Sequence, residues 1–254
     1  MKAPVFYLAG QNDALMFAKE ALLGQDLMFA NVLGANVTHL ILGAPAFEKD
    51  GTLKGGGRIE DYLSLCSPGI TVIGGNLQHP ALKNYRTLDL LQDPCYLTEK
   101  ADITAYCALK VAARHMPIIW KDCQVLVIGG GRIGTCLARL LKNLNARVAV
   151  GVRKAEQRAL WETLGYDTVD STDLKYCLAR YRVIFNTVPA LVLPEEALCH
   201  LRKDCLKIDL ASQKGIAGED VLWARGLPSK EAPETSGRLL ARTILRRYQE
   251  GEWQ

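Results

Sequence analysis

Residues 124–134 read QVLVIGGGRIG, an apolar, β-branched run that breaks into glycines spaced G-x-G-x-x-G at Gly129, Gly131 and Gly134. This spacing suits the phosphate turn of a dinucleotide-binding unit. The first glycine permits a tight turn out of a strand, the second lets backbone approach a pyrophosphate, and the third lets the next helix pack closely on the sheet. The N–H groups around Arg132, Ile133 and Gly134 then open a helix whose positive end faces the anion. Cys136, Leu137, Leu140, Leu141 and Leu144 supply that helix with an apolar stripe. The competing reading is a plain glycine turn.

About twenty positions on, an NAD-binding unit carries Asp or Glu for the ribose hydroxyls. Here the strand RVAVGV (147–152) runs instead into Arg153, Lys154 and then Arg158. Two fork-shaped guanidinium groups and an ammonium could surround a 2′-phosphate. NADP(H) is therefore the expected cofactor, with NAD the second choice. A partly shielded arginine–phosphate pair contributes roughly 1.5 to 3 kcal/mol. A solvated basic turn at a helix start is the alternative, and there the positive charge opposes the helix dipole.

Ligands of a doubly wound sheet lie beyond the carboxyl ends of its strands, so the residues that follow each strand matter most. Phe185 leads into Asn186, Thr187, Val188 and Pro189, which are expected to contact the cofactor unless they only form a turn. Leu210 leads into Ser212 and Lys214, and Ala224 into Ser229 and Lys230. Ser212, Lys214 and Lys230 are candidates for substrate binding, with a turn cap as the other reading of Ser212. Upstream, KDGTLKGGGR (49–58) reads as a mobile loop that could present Arg58 to an acidic ligand, or as a bland surface turn. No catalytic residue emerges, because His115 reads as a helix-end residue ahead of Pro117.

The elements that would hold these residues are those of an α/β protein. Strands are expected at 5–8, 37–42 and 70–73, with an amphipathic helix around 14–23. A turn is expected at Pro94 and a helix from Lys100 to Arg114. From Gln124 onward strands follow at 125–128, 148–152, 168–169, 183–185, 206–210 and 221–224, the pace of a doubly wound parallel Rossmann sheet. This divides the chain into a smaller N-terminal α/β domain (1–98), a bridging helix (99–117), an NAD(P)-binding Rossmann domain (118–232) and a C-terminal helix (233–254). That helix could pack back on the N-terminal domain.

With 254 residues, 49% hydrophobic and 23% charged, the chain can bury one large core or two modest ones. A net charge of +4 without lysine-rich runs argues against nucleic acid as a partner. No apolar run of about eighteen residues and no signal-peptide pattern stands in the sequence, so a cytoplasmic protein without membrane contact is expected. The eight cysteines include no C-x-x-C pair and read as buried reduced thiols. The four histidines are scattered, and no metal site is expected. A homo-oligomer stays open.

In order along the chain, VLVIGGGRIG, GVR, IFNTVPALVL, IDLAS and GLP-K-AP-T-G resemble the A component of dipicolinate synthase across the Rossmann half and the terminal helix. The resemblance implies an NAD(P)-dependent enzyme of spore-forming bacteria. It would oxidise a dihydro- or hydroxytetrahydro-dipicolinate, a small dicarboxylate, to pyridine-2,6-dicarboxylate. Its implied partner is the flavoprotein-like B component of dipicolinate synthase. There are also departures. Where that family commonly reads T-A-E-G-A, this chain has Thr104, Ala105, Tyr106, Cys107 and Ala108, without the acid. Gln213 and Lys214 follow IDLAS, and Ser229 follows GLP. Two alternatives remain: a non-catalytic NADP(H)-binding protein or sensor, and a dehydrogenase of the 2-hydroxyacid type. The latter needs a late catalytic histidine, yet none follows His200.

Overall fold

The computed structural model describes residues 3–25 and 27–251. They form two compact units, one running up to Lys100 and resuming at Pro228, the other from Ala101 to Leu227.

The first unit contains β1 (Val5–Leu8), α1 (Asp13–Leu23), β2 (Met28–Phe29), β3 (His39–Ile41), α2 (Ile59–Leu63), β4 (Thr71–Gly74) and β5 (Arg86–Asp89). Its strands pair in parallel in the order β2-β1-β3-β4-β5. Of the three internal strands, β3 (HLI) and β4 (TVIG) are buried at every residue, as expected of parallel strands covered on both faces. Leu40, Leu42, Ile59, Ile70 and Val72 sit in its core. α1 begins where the Asn12 side chain accepts the Leu15 amide at 2.9 Å, and it buries Leu15, Ala18 and Leu22.

α3 (Pro94–Arg114) starts at Pro94, where the sequence suggested a turn. The Asp93 carboxylate accepts the Cys95 and Tyr96 amides at 2.9 and 3.0 Å, and proline fits the first helical position, where its missing N–H costs nothing. The two edge strands, β2 and β5, also escaped the sequence reading. One is two residues long, and the other begins with two exposed residues.

The second unit contains β6 (Gln124–Ile128), α4 (Arg132–Asn143), β7 (Arg147–Val152), α5 (Ala155–Thr163), β8 (Asp167–Asp170), β9 (Val183–Asn186), α6 (Glu195–Leu198), β10 (Leu206–Asp209) and β11 (Val221–Trp223). All pairings are parallel, in the order β11-β10-β9-β6-β7-β8. The order reverses between β6 and β9, which makes this a doubly wound Rossmann sheet with its switch point there. Leu126, Ile128, Leu178, Ile184 and Ile216 share its core.

The described chain closes with α7 (Leu227–Glu231) and α8 (Pro233–Gln249). α8 packs on α1 so closely that a Cβ at Gly237 would stand 2.4 Å from the Ala14 carbonyl oxygen. Arg246 pairs with Asp93, and Arg247 approaches the same carboxylate at 3.7 Å. Burial opposes ionisation of Asp93, but the Tyr96 and Cys95 amides and Arg246 hold its pKa below the usual value.

Among the described residues no helix is long and apolar enough to cross a membrane. Cys107, Cys123 and Cys205 are buried, whereas Cys95 and Cys199 are exposed, so the expectation of buried thiols does not hold throughout.

Candidate functional site

The switch point is built from the glycine turn after β6. Gly129 adopts φ +107°, and a Cβ there would lie 2.3 Å from the Thr187 hydroxyl oxygen. A Cβ at Gly134 would lie 1.9 Å from the Gly129 carbonyl oxygen. These two glycines are therefore required by the protein's own packing. Gly131 differs: beyond its immediate chain neighbours, no heavy atom lies within 4 Å of where its Cβ would be. It precedes α4 with extended backbone, and no side chain caps the helix, so the first-turn amides are left for another acceptor. This backbone cradle fits a pyrophosphate.

Beside the turn lies a groove of about 640 Å³, lined among others by Gly129, Gly130, Arg153, Gln157, Thr172 and Val188. Pro189 and Leu191 belong to the same wall. The three basic residues after β7 take different positions. Arg153 is exposed on the groove, and its guanidinium has no hydrogen-bond or ion-pair partner among the described residues. Lys154 is exposed and stands 3.4 Å from Glu156. Arg158 is already occupied: it donates to the Val152 and Arg153 carbonyls at 3.2 and 2.7 Å and pairs with Asp170 at 3.0 Å. The expectation that Arg158 would clamp a phosphate is corrected accordingly, since its fork staples the β7–α5 turn to the end of β8. The Thr172 hydroxyl and amide, joined by Arg158, hold the Asp170 carboxyl below its usual pKa.

The next corner, after β9 and β10, is fastened from within. Asn186 is fully buried, its amide nitrogen donates to Asp209 and to the Val188 carbonyl at 3.1 and 3.0 Å, and its oxygen accepts the Val188 amide at 2.9 Å. Its side chain thus shapes the corner and does not reach into the groove, which corrects its placement as a contact residue. Thr187 donates to the Ile128 carbonyl at 2.9 Å and so ties this corner to the glycine turn. Val188 and Pro189 are the members of the corner that line the groove.

Asp209 is the residue that sequence reasoning missed. It is fully buried and accepts from Asn186, from Ala211 at 3.0 Å, from Gly215 at 2.6 Å and from Ile216 at 3.0 Å. One carboxylate therefore fixes both loops. The signal was present in the IDLAS run, as an acid placed among residues of a buried strand, where only hydrogen bonding makes its burial tolerable.

The expected substrate residues fall in different units. Ser212 and Lys214 are exposed in the second, where Lys214 donates to the Gly218 carbonyl at 2.6 Å. Arg58 and Lys230 are exposed in the first. Arg58 stands 3.7 Å from Glu60, and its loop is pinned: Leu53 is buried, Lys54 donates its amide to Ala46, and Leu53 donates to Gly57. His115 is exposed at the end of α3, and Tyr106, at the position of the missing acid, is exposed while Cys107 is buried.

No protein-family model matches the chain. Over 163 residues it is 30% identical to the A component of dipicolinate synthase from Bacillus subtilis (strain 168), a stretch covering 58% of this chain and 55% of that protein. The match spans about half the length of this curated relative. The crystal structure of the A component of dipicolinate synthase from Bacillus halodurans aligns with a TM-score of 0.84 at 21% identity, covering 96% of this chain and 97% of that one. The transhydrogenase from Sinorhizobium meliloti aligns at 0.73 and 12% identity, covering 97% and 94%. A D-isomer specific 2-hydroxyacid dehydrogenase from Xanthobacter autotrophicus Py2, solved with NADPH and MES, aligns at 0.53 and 16% identity, covering 98% and 96%. The chain is thus similar to the A component of dipicolinate synthase in sequence and fold, and its α/β architecture is one that dehydrogenases share.

Proposed function

We propose that this chain is an NADP(H)-dependent oxidoreductase of the dipicolinate synthase type, acting with a flavoprotein-like second component. The observation that carries the cofactor reading is the cradle at Gly131, which is open on the side a pyrophosphate would approach while Gly129 and Gly134 are locked by contacts. The exposed guanidinium of Arg153 on the adjoining groove favours a 2′-phosphate over a free ribose hydroxyl. The substrate reading rests on the similarity to the A component of dipicolinate synthase.

When bound, the cofactor supplies the hydride acceptor, so that dihydrodipicolinate, losing one hydride and one proton, becomes the aromatic pyridine-2,6-dicarboxylate. A hydroxytetrahydro precursor loses water as well. The residues of this chain bind and orient. The α4 amides would hold the diphosphate and Arg153 and Lys154 the 2′-phosphate, while the Asn186–Asp209 network fixes the loops that follow β9 and β10. In the second unit the exposed Ser212 and Lys214 are the polar groups proposed for a substrate carboxylate. A role in spore formation and a cytoplasmic site belong to the same proposal.

The purified protein, with and without a flavoprotein resembling the B component, is given the product of dihydrodipicolinate synthase and NADP⁺. Pyridine-dicarboxylate absorbance and NADPH should rise together. Cofactor binding without either signal, even with the partner present, would favour a second reading, a non-catalytic NADP(H)-binding protein or sensor. That reading is favoured by Tyr106, 56% exposed where the family commonly has an acid.

A further inference from the structure

The second unit has a cavity at the end of its sheet opposite the glycine turn. It measures about 540 Å³ and is lined only by residues of that unit, among them Gln124, Arg147 and Asp167, which begin β6, β7 and β8. The register sets Gln124 beside Arg147 and Ala149 beside Asp167, and alternate residues of a strand share a face, so these four stand on one side of the sheet. Ala149 and Val169 make an apolar floor. Over this side the chain returns from β8 to β9 through 171–182, where Leu178 and Tyr181 join the core but the only helical part is a 3₁₀ turn at Leu178–Arg180. So short a connection covers less of the sheet than a crossover helix, and the small Ala149 side chain does not fill the gap.

The walls are polar and largely unsatisfied. Tyr181 is only 6% exposed, and its hydroxyl has no hydrogen-bond partner among the described residues. The hydroxyl oxygen is not sealed from solvent, so it opens on the cavity. Burial, with Cys177 and Asp167 adding to it against Arg180, lifts the Tyr181 pKa to about 12, and the group stays a donor at ordinary pH. Arg147 and Arg180 are exposed, and neither guanidinium has a hydrogen-bond or ion-pair partner among the described residues. The two acids differ. Glu162 accepts the Thr168 hydroxyl at 2.6 Å, whereas Asp167 has no such partner among the described residues. Exposed arginines alone are ordinary surface; a nine-tenths-buried phenol left without a partner beside them is what marks a place for a ligand.

We propose that this cavity is a second ligand site, separate from the cofactor corner, for a free α-amino acid. The guanidinium groups of Arg147 and Arg180 and the Tyr181 hydroxyl take its carboxylate, Asp167 takes its ammonium, and Ala149 and Val169 seat its side chain. A dianion would meet two acids here and a plain cation two guanidiniums, whereas a zwitterion answers both signs. Lying at the opposite edge of the sheet from the nicotinamide cofactor's proposed place, the site is one for an effector and not for the substrate. It does not rest on the oxidoreductase reading.

The test is thermal unfolding of the full chain with each of the common amino acids at about 10 mM, where a ligand with a Kd of about 1 mM should raise the midpoint by about 3 °C. Calorimetric titration then measures the amino acid that does so. Arg180→Met should weaken it about tenfold or more, Asp167→Asn about tenfold, and Tyr181→Phe, which keeps the ring, about threefold to tenfold. NADP⁺ affinity should stay within about twofold of wild type in all three. The amino acid's N-acetylated form should bind about tenfold more weakly than its parent, and Asp167→Asn should weaken that form no further. Arg180 and Asp167 are exposed, so their variants should melt as cooperatively as wild type. Absence of a shift with every amino acid, while the protein still unfolds cooperatively, overturns the assignment. So does affinity unchanged when Arg147 and Arg180 are both replaced by Met, or an N-acetylated form that binds as well as its parent.

Discussion

The two parallel sheets solve the same topological problem in opposite ways at their carboxyl edges. In the second unit the corner between β6 and β9 is left open, and recognition falls to backbone: uncapped amides of α4 around a glycine with nothing near it. In the first unit the corner between β1 and β3 is covered by the unit's own loop, where a Cβ at Gly10 would stand 2.6 Å from the Lys54 carbonyl oxygen. Backbone amides in a fixed array suit a phosphate, whereas a corner filled by the chain's own loop leaves no such array to a ligand. The difference teaches that an α/β corner is not a site by topology alone. What fills it decides the chemistry it can hold.

The largest effect should come from the group that keeps the open corner in shape. Asp209→Ala leaves the Ala211, Gly215 and Ile216 amides and the Asn186 amide without their buried acceptor. A loss of about 3 to 5 kcal/mol is expected, with the midpoint of thermal unfolding falling by roughly 10 °C or more. A variant that melts like wild type would show that the corner holds itself without the carboxylate.

The closed unit has its own weak point, in acid. His39 is buried in β3 with its ring 5.0 Å from that of Phe6, and burial, helped by Arg86, lowers its pKa from 6.5 to about 4. The folded state holds it neutral while the unfolded state protonates it. Stability from this residue is therefore complete above about pH 6.5 and lost as the pH falls towards 4, amounting to about 3 kcal/mol. Urea titrations from pH 7 to 4 should show that loss, and His39→Gln should flatten it. Equal pH slopes in the two proteins would put the acid sensitivity elsewhere.

Much of the open corner was legible in sequence because its signals are local. A glycine spacing, a β-branched run and an alternation of strands with amphipathic helices each report on a few neighbouring residues, and all six strands of the second sheet lie where that pattern put them. What failed was anything decided by a distant partner. Arg158 looks like a phosphate ligand until Asp170 and two carbonyls are seen to hold it. Pro94 reads as a turn until Asp93 is seen to cap a helix through it. Lys100 carries no motif at all, since its bond to the Ala44 carbonyl joins residues that only the fold brings near.

A medium effect sharpens the contrast at the groove. Arg153→Asp exchanges a guanidinium for the acid that favours a free ribose hydroxyl. NADP⁺ affinity should fall about ten- to a hundredfold, and NAD⁺ affinity should hold or rise. Retained preference for NADP⁺ in fluorescence titrations would leave Lys154 as the discriminating cation.

The smallest change in stability should be the most informative. At Gly131 a methyl group meets nothing within 4 Å and the backbone is extended, so Gly131→Ala should alter unfolding free energy by no more than about 0.5 kcal/mol. The same methyl would stand where a diphosphate must touch backbone, and NADP⁺ affinity should drop about tenfold or more. Gly134→Ala is the internal control: its methyl meets the Gly129 carbonyl oxygen at 1.9 Å, so stability and affinity should fall together. If Gly131→Ala keeps both its stability and its affinity, the backbone at this corner is not what grips the cofactor, and the open and closed corners lose the distinction drawn between them.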